Sequence, residues 1–164
     1  MNMKWKQPGP HYQATLGLLR AAEALWDGSR VFFERWNLSP SQFNILNLLV
    51  EYPDGMSQAD LGRQLIMHRS NVTGLVDRME KRKLVQRKET PGDRRAYRVM
   101  LTERGKVLLD EILPYYHQAA EEIWGDISAK QADGIKVSLD KLSKTVAQLH
   151  IGAHREKICE TPAI

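Results

Sequence analysis

The stretch from 84 to 106, LVQRKETPGDRRAYRVMLTERGK, constrains the fold of this chain more than any other segment. Two runs of alternating side chains, about 85 to 89 and 96 to 101, flank the turn-forming residues PGDRR at 91 to 95. Such runs on either side of a turn predict a β-hairpin. Helical periodicity stands directly before and after this segment, so the hairpin must connect two helices.

Helical patterns cover most of the chain before the hairpin. The range 11 to 36 predicts a long first helix, and its apolar stripe is wider than one small lobe can cover. The segment SPSQ at 39 to 42 predicts the start of a second helix, because its Ser and Gln form a capping box around a proline at the first helical position. A third helix is expected from Ser57, and a fourth from about Arg69 to Lys83.

Two more helices are expected after the hairpin. Thr102 can cap a fifth helix that runs to about 124, and Pro114 inside it should bend it. A second capping box predicts a sixth helix from 128 to about 150. The tail from 151 to 164 has no clear period and is expected to be loose. The sequence therefore predicts a mainly α chain with a small β-wing.

Positive charge is concentrated in the middle of the chain. Residues 57 to 106 contain 13 Lys and Arg against 6 Asp and Glu, a net charge of +7. Since the whole chain of 164 residues carries +4, the remainder carries −3. This asymmetry favours a polyanion as the partner of the middle segment over a merely solvated basic face.

Several classes of protein are not supported by the sequence. No apolar run approaches the roughly 18 to 20 residues that a membrane span needs, and residues 1 to 13 lack the apolar core of a signal peptide. The single cysteine, Cys159, allows no disulfide within the chain. Because phosphate-binding glycine loops, nucleophile elbows and HExxH motifs are also missing, we expect a cytoplasmic, non-enzymatic protein without a cofactor or a membrane partner.

The order helix, turn, helix and hairpin is typical of a winged helix-turn-helix, in which the second helix enters the major groove of DNA. The fourth helix has an apolar stripe at helical spacing, consisting of Val72, Leu75, Val76 and Met79. The opposite side carries residues able to contact bases or phosphates, and we expect DNA contacts from Arg69, Ser70, Asn71, Thr73, Gly74 and Arg78. Gly74 costs about 1 kcal/mol against alanine in a helix; either DNA approaches it closely or the glycine is merely tolerated.

At this point the residues resemble those of the MarR family of bacterial transcription regulators. The family's wing pattern is matched without a spacing error by Asp93, Arg95, Leu101, Thr102 and Gly105. Its recognition-helix pattern is matched over residues 70 to 73 and 75 to 80, and Leu84-Val85 follows as expected. The resemblance covers about residues 11 to 150 and is most specific from 39 to 105.

The resemblance implies a homodimer on a pseudo-palindromic DNA site. Residues 11–36 and 103–150 would form the helical dimerisation region, and residues 39–102 the winged DNA-binding region. Arg94 and Arg95 would reach the minor groove, where narrow A·T-rich DNA attracts arginine. Asp93 would brace the wing turn, because its charge repels phosphate.

Two positions depart from the family pattern, and both put the target sequence in doubt. His68 stands where the family often has Ser or Asp as the cap of the recognition helix, so either a cap is lost or His68 itself contacts phosphate. Gly74 replaces the Arg or Pro common at its position, so one contact with DNA would be missing.

The resemblance also implies a small ligand, an aromatic acid or another lipophilic compound, in a cleft between the dimer helices and the winged lobe. Candidate lining residues are Arg20, Trp26, Arg30, Asn44 and Asn47. Trp26 and Phe33 fit a role in the core at least as well.

Redox and metal roles are less favoured. Cys159 is in the expected loose tail, whereas the family's oxidant sensors place their cysteine in the first helix. His150 and His154 together with Cys159 make a weak zinc ligand set, and His117 is more typical of a surface cluster.

The favoured hypothesis is therefore a dimeric, sequence-specific repressor that binds double-stranded DNA and is released by a small ligand. The alternatives are a nonspecific architectural nucleic-acid-binding protein, and a ligand-binding or enzymatic dimer that does not bind DNA.

Overall fold

The computed structural model describes residues 9–65, 69–90 and 93–148, and for residues 69, 70, 90, 93–96 and 147 it describes the backbone alone. Six helices and three strands lie along this part of the chain. In order they are α1 (Pro10–Glu34), α2 (Pro40–Val50), β1 (Met56–Ser57), α3 (Gln58–Gln64), α4 (Arg69–Lys81), β2 (Val85–Thr90), β3 (Asp93–Leu101), α5 (Glu103–Trp124) and α6 (Ala129–Gln148).

Capping residues start α2, α3, α5 and α6 where the sequence predicts them. At α2 the backbone N–H of Gln42 donates to Ser39 Oγ over 3.2 Å, and the Gln42 side chain accepts from the Ser39 backbone over 2.9 Å. Ser57 caps α3, since its hydroxyl accepts from the Asp60 backbone N–H. Thr102 accepts in the same way from Gly105 at α5, and a Ser128–Gln131 capping box starts α6.

Helix α4 ends at Lys81, two residues earlier than the periodicity predicts. Lys83 adopts a left-handed φ of 59°, its N–H donates to Glu80 O, and the N–H of Leu84 donates to Met79 O. This pair of bonds is a Schellman ending with lysine at the position where glycine is usual. The apolar stripe on residues 72 to 79 extends almost to the end of the helix, so the stripe alone does not indicate the residue at which the helix ends.

The three strands form one antiparallel sheet in the order β1-β3-β2. The predicted hairpin is β2–β3, with Val85 opposite Leu101 and Arg87 opposite Val99. Its second strand begins at Asp93, not at 96, because Thr90 pairs with Asp93 after a register irregularity. Strand β1 was not predicted, because two residues are too few to show alternation.

The buried side chains come from a limited part of the chain. Every buried side chain among the described residues lies between Phe33 and Ile112. They include the predicted α4 stripe, of which Val72, Val76 and Met79 are fully enclosed. The largest fully buried side chains are Phe33, Phe43, Ile45, Leu46, Leu49, Leu61, Met79, Leu84, Leu109 and Ile112.

The chain divides into two compact units, with the boundary at Leu113–Pro114 inside α5. The first unit contains the core and the sheet. The second contains the end of α5 and all of α6, and none of its described side chains is buried. The fold class predicted from the sequence, mainly α with a small β-wing, is confirmed. No helix within the described ranges is both long and apolar enough to cross a bilayer.

Candidate nucleic-acid interface

Helix α4, the predicted recognition helix, has one buried and one exposed side. Opposite its apolar stripe, Asn71 and Arg78 are exposed, as are Asp77 and Lys81. Arg78 and Lys81 lie in the last turn, where cations complement the helix dipole. The backbones of Arg69 and Ser70 form the first turn, and their side chains lie outside the described atoms. The exposed side of α4 therefore presents the amide of Asn71 and the cations of Arg78 and Lys81 to a binding partner.

Thr73 is partly buried because it contacts helix α3. Its Oγ1 lies 2.9 Å from the side-chain amide of Gln58, the first residue of α3. When the Gln58 NH₂ faces Thr73, the amide oxygen accepts from Arg87 Nη2 at 2.9 Å and Nε at 3.0 Å. Gln58 thus links helix α3, helix α4 and strand β2.

Arg87 connects strand β2 to helix α4. Its guanidinium donates through Nη2 to Asp77 Oδ1 and through Nη1 to Glu80 Oε2, each over 2.5 Å. Glu80 also accepts from the Arg87 backbone N–H over 2.8 Å. Burial disfavours the charged form of Arg87, but the hydrogen bonds to Asp77 and Glu80 outweigh burial and raise its pKa above the usual value. Arg87 therefore stays charged.

The end of α4 is tied to the connection between α1 and α2. Arg82 donates through Nη2 to the carbonyl of Trp36 over 3.1 Å and through Nη1 to the carbonyl of Asn37. The Trp36 indole N–H donates in turn to Glu111 Oε1 on α5 over 2.8 Å. The Arg35 guanidinium lies 3.7 Å from the centroid of the Trp36 ring. The recognition helix is thereby fixed to the two long helices of the first unit.

Strands β2 and β3 form the predicted wing. Gln86, Lys88, Glu89 and Tyr97 are exposed on it. The backbones of Asp93, Arg94 and Arg95 belong to β3, whereas their side chains, and all of Pro91 and Gly92, lie outside the described atoms. The wing-tip contacts of Arg94 and Arg95 and the bracing role of Asp93 therefore stay predictions.

Two glycines of this region differ in what surrounds them. A Cβ at Gly74 would meet only Arg78 Nη1, at 3.6 Å, which is an ordinary contact. A Cβ at Gly105 would lie 2.1 Å from the carbonyl oxygen of Leu84. Gly105 of the wing pattern is thus required by the close approach of α5 to the α4–β2 connection, whereas the chain itself does not require a glycine at 74.

The predicted ligand residues are spread over α1 and α2. Arg20 is exposed, Arg30 pairs with Asp27 on the helix surface over 2.5 Å, Asn47 is exposed and Asn44 is half-buried. Trp26 is 44% exposed and so is not a core residue of the single chain, whereas Phe33 is buried.

A groove of about 400 Å³ lies elsewhere, in the second unit, between Trp124 and the α6 residues 132 to 140. None of the five predicted ligand residues lines it.

The residues weighed for metal-binding and redox roles lie largely outside the described residues. His150, His154 and Cys159 lie there, as does His68. Among the described side chains, no three His, Cys, Asp or Glu residues come together in a way that could hold a metal ion.

Sequence reasoning did not single out Arg87, Gln58 or Arg82. A signal for Arg87 was present, because it alternates in phase with buried Val85, which places a charged side chain on the inner face of β2. Asp77 and Glu80, three residues apart on the facing helix, are its natural partners. The bonds from Arg82 to backbone carbonyls leave no trace in sequence.

Comparison with known proteins agrees with this geometry. A model of the MarR family matches residues 36–96. The homoprotocatechuate degradative operon repressor of Escherichia coli is 31% identical over 121 residues, which are 74% of this chain and 81% of that repressor. The chain belongs to the MarR family of transcriptional regulators. Its relatives carry the names of transcription regulators and repressors, not of enzymes.

Solved structures of the MarR family share the fold. AbsC, a MarR family regulator from Streptomyces coelicolor, superposes with a TM-score of 0.79 at 20% identity, over 88% of this chain and 99% of AbsC. BpsR of Bordetella bronchiseptica, whose DNA binding is regulated by 6-hydroxynicotinic acid, superposes with a TM-score of 0.75 at 25% identity, over 84% of this chain and 98% of BpsR. The winged helix-turn-helix reading of α3, α4 and β2–β3 is thus confirmed.

Proposed function

We propose that this MarR-family chain is a homodimeric repressor that binds a pseudo-palindromic operator and is released by a small, aromatic ligand. Helix α4 enters the major groove of each half-site, and the β2–β3 wing contacts the flanking minor groove. The proposed DNA contacts are those of the sequence prediction, namely Arg69, Ser70, Asn71, Thr73, Gly74, Arg78, Arg94 and Arg95, with Asp93 bracing the wing turn.

The two-sided character of α4 is the observation that carries this proposal. Its stripe of four apolar residues is buried, which leaves Asn71 and Arg78 directed away from the core. An amide can read adenine and an arginine can read guanine at the edges of bases. The net charge of +7 on residues 57 to 106 adds the attraction to phosphate that such readout needs.

Exposed apolar side chains on the long helices support a second copy of the chain as partner. In α1, Leu19 is 61% and Val31 is 70% exposed. On α6 an apolar stripe at helical spacing is also exposed, at Ile135, Leu139, Leu142 and Val146. Soluble monomers rarely leave apolar surface of this extent uncovered. We therefore assign residues 11–36 and 103–150 to the dimer and residues 39–102 to DNA.

The ligand part of the proposal is supported by relatives. One relative represses the operon that degrades homoprotocatechuate, and 6-hydroxynicotinic acid regulates DNA binding by BpsR; both compounds are aromatic acids. A ligand that prefers a dimer with misplaced α4 helices lowers operator affinity by shifting the population of dimers. Arg20 and Arg30 could pair with a carboxylate, Trp26 could stack on a ring, and Asn44 and Asn47 could donate hydrogen bonds.

The decisive experiment is a search for bound DNA followed by a comparison of sequences. Genomic fragments captured by the full chain are sequenced, and the common site is titrated against a scrambled duplex at several salt concentrations. A sequence-specific regulator binds its site about 10³-fold or more tightly than scrambled DNA. Equal binding of both duplexes would favour a nonspecific architectural protein, and no binding would favour a dimer without DNA function.

The effector is tested on the same operator complex. Homoprotocatechuate and 6-hydroxynicotinate are added separately, and release of a labelled duplex is followed by fluorescence anisotropy. Release by either acid at concentrations that leave the chain folded supports a ligand-relieved repressor. If neither releases the DNA, these two acids are not the effector.

A further inference from the structure

Arg87 lies between the wing and the recognition helix, and it contacts both. Its side chain is only 21% exposed, so little of it is available to a ligand in solution. It belongs to β2 and bonds to two carboxylates of α4, Asp77 and Glu80. Glu80 closes the arrangement by accepting the backbone N–H of Arg87 as well.

The chemistry of these contacts requires an arginine. Asp77 and Glu80 are three residues apart and so lie on neighbouring turns of one helix face. Separate nitrogens of one planar guanidinium reach the two carboxylates, Nη2 for Asp77 and Nη1 for Glu80. A lysine offers a single nitrogen on a flexible stem and cannot hold both carboxylates in a fixed geometry. Arg87 therefore fixes how α4 is rotated about its axis relative to β2.

Gln58 extends this restraint to a predicted base-contacting residue. Its amide oxygen accepts from Arg87 Nε and Nη2, while its NH₂ faces Thr73 Oγ1. The first residue of α3, the middle of α4 and the wing strand are thus joined by one continuous set of hydrogen bonds.

We propose that Arg87 is a positioning residue for sequence readout, which holds α4 and the wing in one arrangement so that both reach the DNA in register. This inference rests on the proposed function, because it assumes that α4 and the wing bind DNA. Phosphate contacts attract DNA of any sequence and tolerate small shifts of the helix. Base-edge hydrogen bonds depend on alignment, so loss of the restraint reduces discrimination more than it reduces overall affinity.

The test compares Arg87→Gln with the wild-type chain on its captured operator and on a scrambled duplex, with affinities measured by anisotropy. We expect the ratio of the two affinities to fall by about tenfold or more, the size of a lost base contact. Arg87→Lys keeps the charge, so its nonspecific affinity and salt dependence stay at the wild-type level while its ratio falls to an intermediate value.

Arg98 provides a matched control on the neighbouring strand. It is half-buried, and its guanidinium donates to the backbone carbonyls of Asp54 and Gly55, not to α4. Arg98→Gln removes the same charge and a comparable set of hydrogen bonds. We expect it to lower the melting temperature as Arg87→Gln does and to leave the operator-to-scrambled ratio within about threefold of wild type.

A pair of variants tests whether Arg87 acts through the helix. Adding Glu80→Gln to Arg87→Gln should change the ratio by less than Glu80→Gln changes it in the wild-type background, because both substitutions break one contact. Independent, multiplicative effects on the ratio would contradict this route.

The outcomes distinguish a failure of the positioning role of Arg87 from a failure of the proposed function. If the wild-type chain does not discriminate, the proposed function fails. If it discriminates and Arg87→Gln does so equally well, or if Arg98→Gln loses as much discrimination at the same melting temperature, the positioning role of Arg87 is wrong. Arg87→Lys serves the same comparison if Arg87→Gln does not fold.

Discussion

Helix α4 of the winged region and helix α6 have the same kind of amphipathic sequence but opposite burial. In α4 the apolar stripe is enclosed, with Val72, Val76 and Met79 fully buried. In α6 the equivalent stripe remains exposed, as Leu142 shows at 44%. An apolar stripe thus predicts that a helix face will be covered, but not whether the covering surface comes from the same chain. The apolar stripe of α4 is covered within its own unit, whereas α6 and much of α1 leave apolar side chains exposed, which the proposed dimer would cover.

The largest expected effect comes from a cavity in the core of the first unit. Leu46→Ala removes a fully buried side chain of α2 and should lower the free energy of unfolding by about 2 to 5 kcal/mol. Chemical denaturation at several protein concentrations measures it. The loss should be the same at every concentration, since Leu46 packs within its own chain. A loss confined to low concentration would place Leu46 at the interface and break the comparison.

A charge on the exposed stripe should act on assembly instead. Leu142→Asp puts a carboxylate into the proposed dimer surface and should raise the dimer dissociation constant by about 30-fold or more. Sedimentation equilibrium measures it. Val50→Asp is the control, because Val50 is 46% exposed on α2, outside the proposed dimer region. Equal dissociation by both variants, or by neither, would contradict the assignment of α6 to the interface.

The junction between the long helices and the winged region should show a smaller effect. Trp36→Phe removes the indole N–H that donates to Glu111, a loss of about 1 kcal/mol in unfolding. Operator affinity should also fall, because the bond from Trp36 to Glu111 helps to hold the backbone segment to which Arg82, at the end of α4, is bonded. Glu111→Gln keeps an acceptor oxygen and should cost less. If Glu111→Gln costs as much as Trp36→Phe, the hydrogen bond depends on the negative charge of its acceptor.

Gly74 gives a change of opposite sign in stability. The space around it admits a methyl group, so Gly74→Ala should raise the free energy of unfolding by about 0.5 to 1 kcal/mol. We expect operator affinity to fall nevertheless, since the added methyl would stand between the helix and the DNA. Thermal unfolding and anisotropy measure the two quantities. Raised stability with unchanged affinity would mean that the glycine is merely tolerated.

The smallest expected effect concerns Asp60 at the start of α3. The Ser57 hydroxyl, followed by Arg63, lowers the pKa of Asp60 below its ordinary value of 3.8. Because the folded pKa is the lower one, its contribution to stability is present above pH 3.8 and disappears as the pH falls through the folded value. Acid titration of unfolding in Asp60→Asn should be slightly flatter in this range. An unchanged curve would remove Asp60 from the acid response.

Local signals in the sequence predicted most of the fold. Capping residues located the starts of α2, α3, α5 and α6, because a side chain that satisfies a free N–H acts within three residues. The apolar stripe of α4 was also predicted correctly, because its residues are only three or four positions apart in the sequence. The missed features depend on distant partners. Strand β1 exists only because Met56 pairs with Val99, and the end of α4 depends on a left-handed lysine.

The exposed residues of the candidate site were recognisable from the sequence, whereas the contacts that position α4 were not. Residues such as Asn71 and Arg78 are recognisable because they lie opposite an apolar stripe. The contacts that hold α4 in place, from Arg87 and Arg82, join positions that are 7 to 46 residues apart. Composition and periodicity do not report such pairings, although an arginine in phase with buried Val85 was a usable clue.

Thr102 has one further consequence. Its hydroxyl lies 2.7 Å from the carbonyl of Lys83 and 3.0 Å from that of Leu84, and it accepts from the N–H of Gly105. The two ends of the wing are therefore held together by the hydrogen bonds of Thr102 to Lys83 and Leu84. The cost of closing a loop grows slowly, by about 0.6 kcal/mol for each doubling of its length. Substitutions, insertions or deletions at the proposed wing tip should therefore leave α4 and α5 in place, so the proposed minor-groove contact can change at little cost in stability.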